Sequence, residues 1–232
     1  MTLRRITGVL FIAAVAAFAV AAGVLSATFD WPDILRQPAA TVLARYTAGG
    51  RPLVWTWFAT AWTYALLAVP MMLLATALRR PTLALAGTVG GASVLLSLIG
   101  FLRWVFVVPQ LAASWTTGDQ ATRLAAEAAW TAQHQFGGAL LGEHLGQILA
   151  IAWSVSVSVV ALRGDVLPRW IGWTGLAVSA LYLLNQGDVL ATAMPGFPVW
   201  DAAGSVGGSA WILWVAALGG ILLLRPDRAI TR

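Results

Sequence analysis

Cysteine and lysine are both missing from this chain of 232 residues, and only 10% of its residues are charged. Without cysteine it cannot form a disulfide, a thiolate metal site or a cysteine nucleophile. Without lysine it cannot carry a retinal or pyridoxal Schiff base on a side chain, or a P-loop lysine. A soluble domain carries about 25% charged residues, whereas 59% of this chain is hydrophobic. The composition therefore predicts a helical protein that crosses a membrane several times.

All fourteen basic residues are arginine, and the net charge of the chain is +5. In a nucleic-acid-binding domain the basic residues would cluster on one exposed face. Here they flank apolar runs instead, which is the distribution that sets the orientation of membrane proteins. We therefore expect the lipid bilayer as a partner, and no nucleic acid.

Six apolar runs are long enough to cross a bilayer, which takes about 20 residues in a helix. They cover approximately residues 6–29, 53–78, 82–109, 136–162, 168–187 and 207–224. The first run follows Arg4 and Arg5, as in a signal peptide, but it is longer than the apolar core of one and is interpreted as the first span. We predict an all-α polytopic membrane protein in which residues 1–232 form one domain, a single bundle of six transmembrane helices.

The distribution of arginine predicts that both termini are cytoplasmic. The arginines then on the cytoplasmic side are Arg4, Arg5, Arg79, Arg80, Arg163, Arg169, Arg225, Arg228 and Arg232. Those in the outer loops are Arg36, Arg45, Arg51 and Arg123. The second outer loop is expected to contain a helix at about residues 119–135, because Asp119 can cap it.

Arg103 lies within the third apolar run, which has no other charged residue. An arginine near the middle of a membrane helix costs at least about 2.5 kcal/mol. Such residues therefore face a protein interior or a wet cavity and find partners there. Arg103 predicts an internal polar site.

Polar side chains in two further spans lie close to the depth of Arg103. At a rise of 1.5 Å per residue, Arg103 lies roughly 10 Å outward from the middle of its span. The other polar residues lie within about one helical turn of the same depth in their own spans. They are Glu143, His144, Gln147, Asn185 and Asp188. Each would be costly in lipid, which favours one shared polar site in the outer half of the membrane.

Arg103 is expected to pair with Glu143, and Asp188 is its second choice of partner. In a functional site Arg103 would hold an anionic group that Glu143 orients. His144 would move a proton, because its charge changes near neutral pH. Glu143 and His144 are thus the candidate catalytic residues, and the remaining polar residues would bind the ligand. A purely structural lock built from the same residues is the alternative.

Tryptophans and glycines add two further predictions. Trp62, Trp104 and Trp214 are deep enough to line a pocket, where aromatic faces can hold an apolar ligand or a cation. Their alternative role is the ordinary enrichment of tryptophan at membrane interfaces.

Gly138, Gly142 and Gly146 recur every four residues in the fourth span. Small residues at this spacing let two helices approach closely in lipid. Packing within the molecule is the first interpretation, and a homo-oligomer interface is the second.

No motif predicts a metal or a cofactor. His134 and Glu127 lie seven residues apart on one helix face, but an H-E-x-x-H motif is absent. The spacing also gives no support to bis-histidine haem or to a His/carboxylate metal site. We expect neither a metal nor a cofactor.

Four stretches resemble one bacterial family of membrane proteins. They are residues 5–11 (RITGVLF), 102–109 (LRWVFVVP), 142–146 (GEHLG) and 167–173 (LPRWIGW) with Gly175 following. The family is domain-of-unknown-function family 4386, and the resemblance runs from about Arg5 to Leu224. It implies a six-span, multi-pass protein of the bacterial cytoplasmic (inner) membrane with no assigned function, and it supplies no catalytic residues.

The leading hypothesis is a membrane protein that binds or processes a small amphipathic or lipid-like molecule in a pocket facing the outer leaflet. The first alternative is an intramembrane acid catalyst such as an isoprenoid or terpene cyclase, with Glu143 as the acid. A transporter is the second alternative. It would need helices that are broken near the middle of the membrane, and no Gly/Pro interruptions occur at corresponding positions, although Pro70 is a candidate kink. A structural or assembly subunit is the third. Whether the protein is an enzyme stays open at this point.

Overall fold

The regular elements are all helical in the computed structural model, which describes residues 1–164 and 166–224. The α helices are α1 (Leu3–Phe29), α2 (Ala39–Ala65), α3 (Ala68–Ala77), α4 (Ala84–Phe106), α5 (Val108–Thr117), α6 (Gln120–Gln133), α7 (Gly146–Arg163), α8 (Arg169–Leu184), α9 (Gln186–Ala191) and α10 (Ala203–Leu224). The 3-10 helices are Asp33–Arg36 and Pro81–Leu83, and a π helix occupies His134–Leu145. Three arginines used in the orientation prediction, Arg225, Arg228 and Arg232, lie outside the described residues.

Five helical stretches of the described chain are long and apolar enough to cross a membrane. They are Leu3–Phe29, Ala39–Ala77, Pro81–Thr117, Gln120–Arg163 and Ala203–Leu224. The predicted fifth span, residues 168–187, contains the shorter helix α8, which is followed at once by α9. The all-helical fold is confirmed, and the long apolar helices suggest a multi-pass membrane protein. The number of six crossings and the cytoplasmic termini stay predictions.

The helix expected in the second outer loop is α6, and Asp119 begins it. The Asp119 carboxylate accepts a hydrogen bond of 2.9 Å from the backbone N–H of Thr122, which satisfies one of the free donors of the first turn. Hydrogen bonds from Thr122 also lower the pKa of Asp119, because they stabilise its charged form. Residues 134–135 of the expected helix belong instead to the π helix.

Prolines, one glycine and one asparagine mark interruptions in the long helices. Pro70 and Pro109 have no backbone N–H, so each leaves the carbonyl four residues earlier without its helical donor. The chain accordingly changes from α2 to α3 shortly before Pro70, and from α4 to α5 shortly before Pro109. Two further interruptions lie within α2 at Gly50, whose backbone is non-helical with a φ of 54°, and at Asn185 between α8 and α9. The sequence predicted only the interruption near Pro70.

The chain forms two compact units. Unit 1 consists of Met1–Ala16, Leu66–Val94 and the described part of Gln147–Arg232. Unit 2 consists of Ala17–Ala65 and Leu95–Gly146. The expectation of a single domain stays a prediction.

In unit 1, helices α8 and α10 pack closely through small residues. A Cβ atom added to Gly207 of α10 would lie 2.9 Å from the Cα of Tyr182 and 3.1 Å from the carbonyl oxygen of Leu181, both on α8. Two tryptophans of α10 donate hydrogen bonds within the unit, Trp211 to the Ser154 hydroxyl and Trp214 to the Ile171 carbonyl. The indole N–H groups are therefore satisfied although both rings are buried.

Unit 2 has an aromatic core centred on Trp104. The ring of Trp57 stacks on it with a centroid distance of 4.4 Å and an interplanar angle of 2°, and Phe29 meets it edge-on at 5.3 Å. The hydroxyl of Tyr46 donates a hydrogen bond to the Trp104 carbonyl. Ile34, fully buried, brings the 3-10 helix Asp33–Arg36 into the same core. This anchoring fixes the position of the 3-10 helix beside the end of α4.

Replacing Gly207 with alanine tests the close approach of α8 and α10. The added methyl group would press on backbone atoms that cannot move away, so the free energy of unfolding should fall by about 1–3 kcal/mol. Gly208→Ala is the matched control on the same helix, because a Cβ at Gly208 meets nothing within 4 Å. The measurement is thermal unfolding in detergent, and equal midpoints for the two variants would contradict the packing.

Candidate functional site

Arg103 lies in the last turn of α4, and its side chain is only 7% exposed. The guanidinium group lies against the backbone of the π helix. A Cβ atom on Gly138 would be 2.6 Å from Nη2 and 2.8 Å from Cζ of Arg103, too close for any side chain. Gly138 therefore leaves the space that the guanidinium group occupies.

The hydrogen bonds of Arg103 within the described structure go to neutral acceptors. Nη1 donates to the carbonyl oxygen of Gly100 at 2.5 Å, and Nη2 bonds Nδ1 of His134 at 3.2 Å. The Nε atom is buried and has no hydrogen-bond partner. The Cζ atom lies 5.2 Å from the centroid of the Trp104 ring. Dipoles and an aromatic ring thus stabilise the positive charge, and the Nε–H group of Arg103 remains a buried donor without an acceptor.

His134 links Arg103 to the 3-10 helix. Arginine has donors only, so Nδ1 of His134 must be the acceptor in their bond, which requires a neutral ring protonated at Nε2. The side chain also forms a hydrogen bond with the backbone of Leu35. The ring stacks on Trp130 with a centroid distance of 5.2 Å. Contacts with these three groups fix the orientation of the imidazole.

Glu143 forms an ion pair with Arg36, a partner that the sequence did not predict, and the expected pair between Arg103 and Glu143 stays a prediction. Nη2 of Arg36 and Oε2 of Glu143 are 2.6 Å apart, and the two side chains are 27% and 18% exposed. Arg36 reaches the carboxylate because the buried Ile34 holds the 3-10 helix in place. Arg103 nevertheless lies within electrostatic range of both groups.

Sequence reasoning missed Arg36 and gave too little weight to His134. Arg36 is 107 residues from Glu143 and lies in a predicted loop, where an arginine serves as an orientation marker. His134 was assigned only to a weak, isolated set with Glu127, which instead accepts a hydrogen bond from Trp115. His144 was favoured over His134, yet His134 is the histidine that bonds Arg103. The sequence around His134, which stands between Gln133 and Gln135, carries no signal that marks it as a partner of Arg103.

The glycine repeat packs against α4 within unit 2. A Cβ on Gly142 would lie 3.2 Å from the Cα of Gly100, and one on Gly146 would lie 2.5 Å from the Ser97 hydroxyl oxygen. Together with Gly138 beside Arg103, all three glycines thus contact one neighbouring helix. Packing within the molecule accounts for the repeat, and a homo-oligomer interface through it stays a prediction.

Gln147 and Asn185 come together in unit 1, at the interruption between α8 and α9. The Oε1 atom of Gln147 accepts hydrogen bonds from Nδ2 of Asn185 at 3.0 Å and from Nε2 of Gln186 at 2.6 Å. Asp188, partly buried, follows on α9. Depth arithmetic thus brought the amides together correctly. Whether this set joins the Arg103 cluster of unit 2 stays a prediction.

The three tryptophans expected to form pocket walls have different environments. Trp104 is 1% exposed and contacts Arg103, whereas Trp214 is buried in unit 1 against Gly175. Trp62 is 48% exposed. Trp57, five residues earlier, is rotated by about 140° around the helix and is the residue that stacks on Trp104. Trp57 was missed because the helix face turned toward α4 was not assigned.

The described residues include no group of three His, Cys, Asp or Glu side chains arranged to hold a metal ion. The site consists instead of a permanently charged guanidinium, a neutral imidazole and an ion pair. Such a set can bind an anion or neutralise charge. The π helix carries His134, Gly138 and Glu143, and π-helical segments frequently occur at functional sites.

A family model described as "Domain of unknown function (DUF4386)" matches residues 6–219. The match covers most of the chain and confirms the resemblance seen in the four sequence stretches. Among curated proteins and among solved structures, comparison finds no similar chain.

Gly138→Ala tests the space made for the guanidinium group. The methyl group would displace Arg103 and break its bond to His134, so the free energy of unfolding should fall by about 1–3 kcal/mol. Gly137→Ala is the control, because a Cβ there meets Cδ of Arg103 at an ordinary 3.5 Å.

Thermal unfolding in detergent measures the stability of both variants, and the ring nitrogen resonances report the hydrogen bond of His134. The chain has only two histidines, so the assignment is simple. If Gly138→Ala leaves both the midpoint and the Nδ1 resonance unchanged, the described packing of Arg103 is wrong.

Proposed function

The chain belongs to the DUF4386 family, a domain of unknown function, and we propose that it binds the anionic headgroup of a small amphipathic or lipid-like molecule at Arg103. The ligand-binding cluster consists of Arg103, Trp104, His134, Arg36 and Glu143. Arg103 would hold the anion, and the ion pair of Arg36 and Glu143 would lie beside it. No reaction is part of this proposal.

The state of Arg103 carries the proposal. Its side chain is 93% buried within an apolar helix, its hydrogen bonds go to a carbonyl and a neutral imidazole, and its Nε donor has no acceptor. A structural lock would be expected to satisfy every donor, because an unmet buried hydrogen bond to a charged group costs more than about 1–3 kcal/mol. An anionic oxygen would provide the missing acceptor.

The position of Arg103 in its helix supports an amphipathic ligand. Arg103 lies in the last turn of α4, after about 19 apolar or weakly polar residues of that helix, so the cluster would lie close to the lipid headgroups. An anionic head could meet the cluster there while its hydrocarbon tail stays in the bilayer. A small water-soluble anion would gain nothing from this depth.

The proposal includes a membrane topology. Six helices, with α8 and α9 together making the fifth, would cross the cytoplasmic membrane of a bacterium with both termini inside. The arginines of the described inner loops support this orientation, which would place the Arg103 cluster in the outer leaflet. The anionic molecule would then enter from the outer leaflet.

The acid-catalyst alternative is less well supported. A cyclase of that type needs a protonated carboxylic acid, so Glu143 would have to be protonated to act as the acid. Arg36 lies 2.6 Å from the Glu143 carboxylate, and an ion pair at this distance favours the ionised form. Glu143 is therefore proposed as an electrostatic partner, and the role of His144 as a proton carrier stays a prediction.

A transporter is the second candidate, and the helix interruptions favour it. Secondary transporters bind their substrates where membrane helices are broken. Here α4 gives way to α5 just beyond Arg103, and α8 gives way to α9 at Asn185. Movement of the bound anion across proteoliposome membranes would distinguish transport from binding alone.

Arg103→Leu should abolish binding of an anionic amphiphile. Purified protein in non-ionic detergent would be titrated with oleate and with oleyl alcohol, and bound ligand would be counted by native mass spectrometry. We expect saturable binding of oleate by the natural protein, no specific binding of the uncharged alcohol, and a loss of at least about 30-fold in Arg103→Leu, because a buried charged hydrogen-bonding partner is worth 2 kcal/mol or more.

Arg51→Leu is the matched control, since Arg51 is an exposed arginine of the same unit. It should bind oleate as the natural protein does. Thermal unfolding must show that Arg103→Leu is folded before its binding is compared. Equal oleate binding by the two leucine variants would refute the proposed site.

A further inference from the structure

We infer that the headgroup held at Arg103 carries a single negative charge, as a carboxylate or a phosphodiester does. This inference rests on the proposed function and restricts the ligand to amphipathic molecules with a singly charged anionic headgroup. It excludes phosphate monoesters, whose charge at neutral pH approaches −2. It also excludes zwitterionic and neutral headgroups.

The charge of the cluster can be counted from its hydrogen bonds. Arg103 and Arg36 each contribute +1, because a guanidinium group stays protonated in proteins. Glu143 contributes −1, since it is ion-paired with Arg36. His134 contributes nothing, because its Nδ1 atom accepts a hydrogen bond from Arg103. The sum of these groups is +1.

The groups counted are those whose charges act on Arg103. Among the described residues, the carboxylate of Glu143 and the guanidinium group of Arg36 act electrostatically on Arg103. The other ion pair of the outer loop, between Arg45 and Asp30, is half exposed and neutral in sum. It therefore leaves the charge of the cluster unchanged.

A low-dielectric site favours a ligand that brings the total charge to zero. At an effective dielectric constant of about 20, two charges interact about four times more strongly than they do in water. A monoanion neutralises the +1 cluster, whereas a dianion replaces one unbalanced charge with another of opposite sign. A zwitterion or an alcohol leaves the cluster as it was.

The unmet hydrogen-bonding groups of the core also call for an acceptor. Nε of Arg103 and Nε1 of Trp57 are both buried donors without partners. Trp57 belongs to the same aromatic core, where its ring stacks on Trp104. A carboxylate or a phosphodiester offers acceptor oxygens and no N–H donor, which matches the donors left over here.

The test compares three probes at pH 8 in non-ionic detergent: oleate, dioleoylphosphatidylglycerol and oleyl phosphate. At this pH the monoester is dianionic, since its second pKa is about 6. The natural protein should bind oleate or phosphatidylglycerol at least about tenfold more tightly than oleyl phosphate, as apparent Kd from native mass spectrometry. Tighter binding of oleate would point to a free fatty acid, and tighter binding of phosphatidylglycerol to a membrane lipid.

Two variants shift the charge of the cluster in opposite directions. Glu143→Gln raises its sum to +2 and should reverse the preference, so that oleyl phosphate binds better than oleate. Arg36→Gln lowers the sum to zero and should weaken the binding of all three probes. The two variants predict different changes in binding, so either one tests the inference if the other fails to fold.

The outcomes separate this inference from the proposed function. Equal or tighter binding of oleyl phosphate by the natural protein would refute the single charge while leaving Arg103 as an anion site. The same would follow if Glu143→Gln kept the preference for oleate. Binding of none of the three probes would overturn the proposed function itself.

Discussion

The guanidinium group of Arg103 cannot lose its charge, and its surroundings in unit 2 follow from that constraint. A permanent charge within an apolar helix must be stabilised by dipoles. The Gly100 carbonyl and the neutral ring of His134 stabilise it through hydrogen bonds. It must also be given space, which the absent side chain of Gly138 supplies. The aromatic face of Trp104 completes the contacts.

Much of the fold could be predicted from the sequence because it is encoded locally. Apolar runs mark the long helices, since about 20 apolar residues are required to cross a bilayer wherever they occur. The glycine repeat indicated close helix packing, and α4 is the helix it contacts. Rise per residue was enough to bring Gln147 to the level of Asn185, because the regular helices α7 and α8 set the depth of the two residues.

The partners in the charged cluster could not be predicted, because tertiary structure selects them. A four-residue 3-10 helix, fixed by Ile34 in the core, carries Arg36 to Glu143. No periodicity in the chain contains that information. The π helix adds a second difficulty, since its i→i+5 bonding changes the angle between successive residues. Depth in the predicted span favoured His144 over His134, and depth alone does not show which side chain faces Arg103.

The ion pair between Arg36 and Glu143 has a consequence for the descent of this family. Replacing either residue alone changes the charge beside Arg103 by one unit, whereas replacing both with neutral residues leaves the total unchanged. Lineages that lose one of the two should therefore lose the other as well. Covariation of a position in the 3-10 helix with a position in the π helix would be the evolutionary trace of that electrostatic coupling.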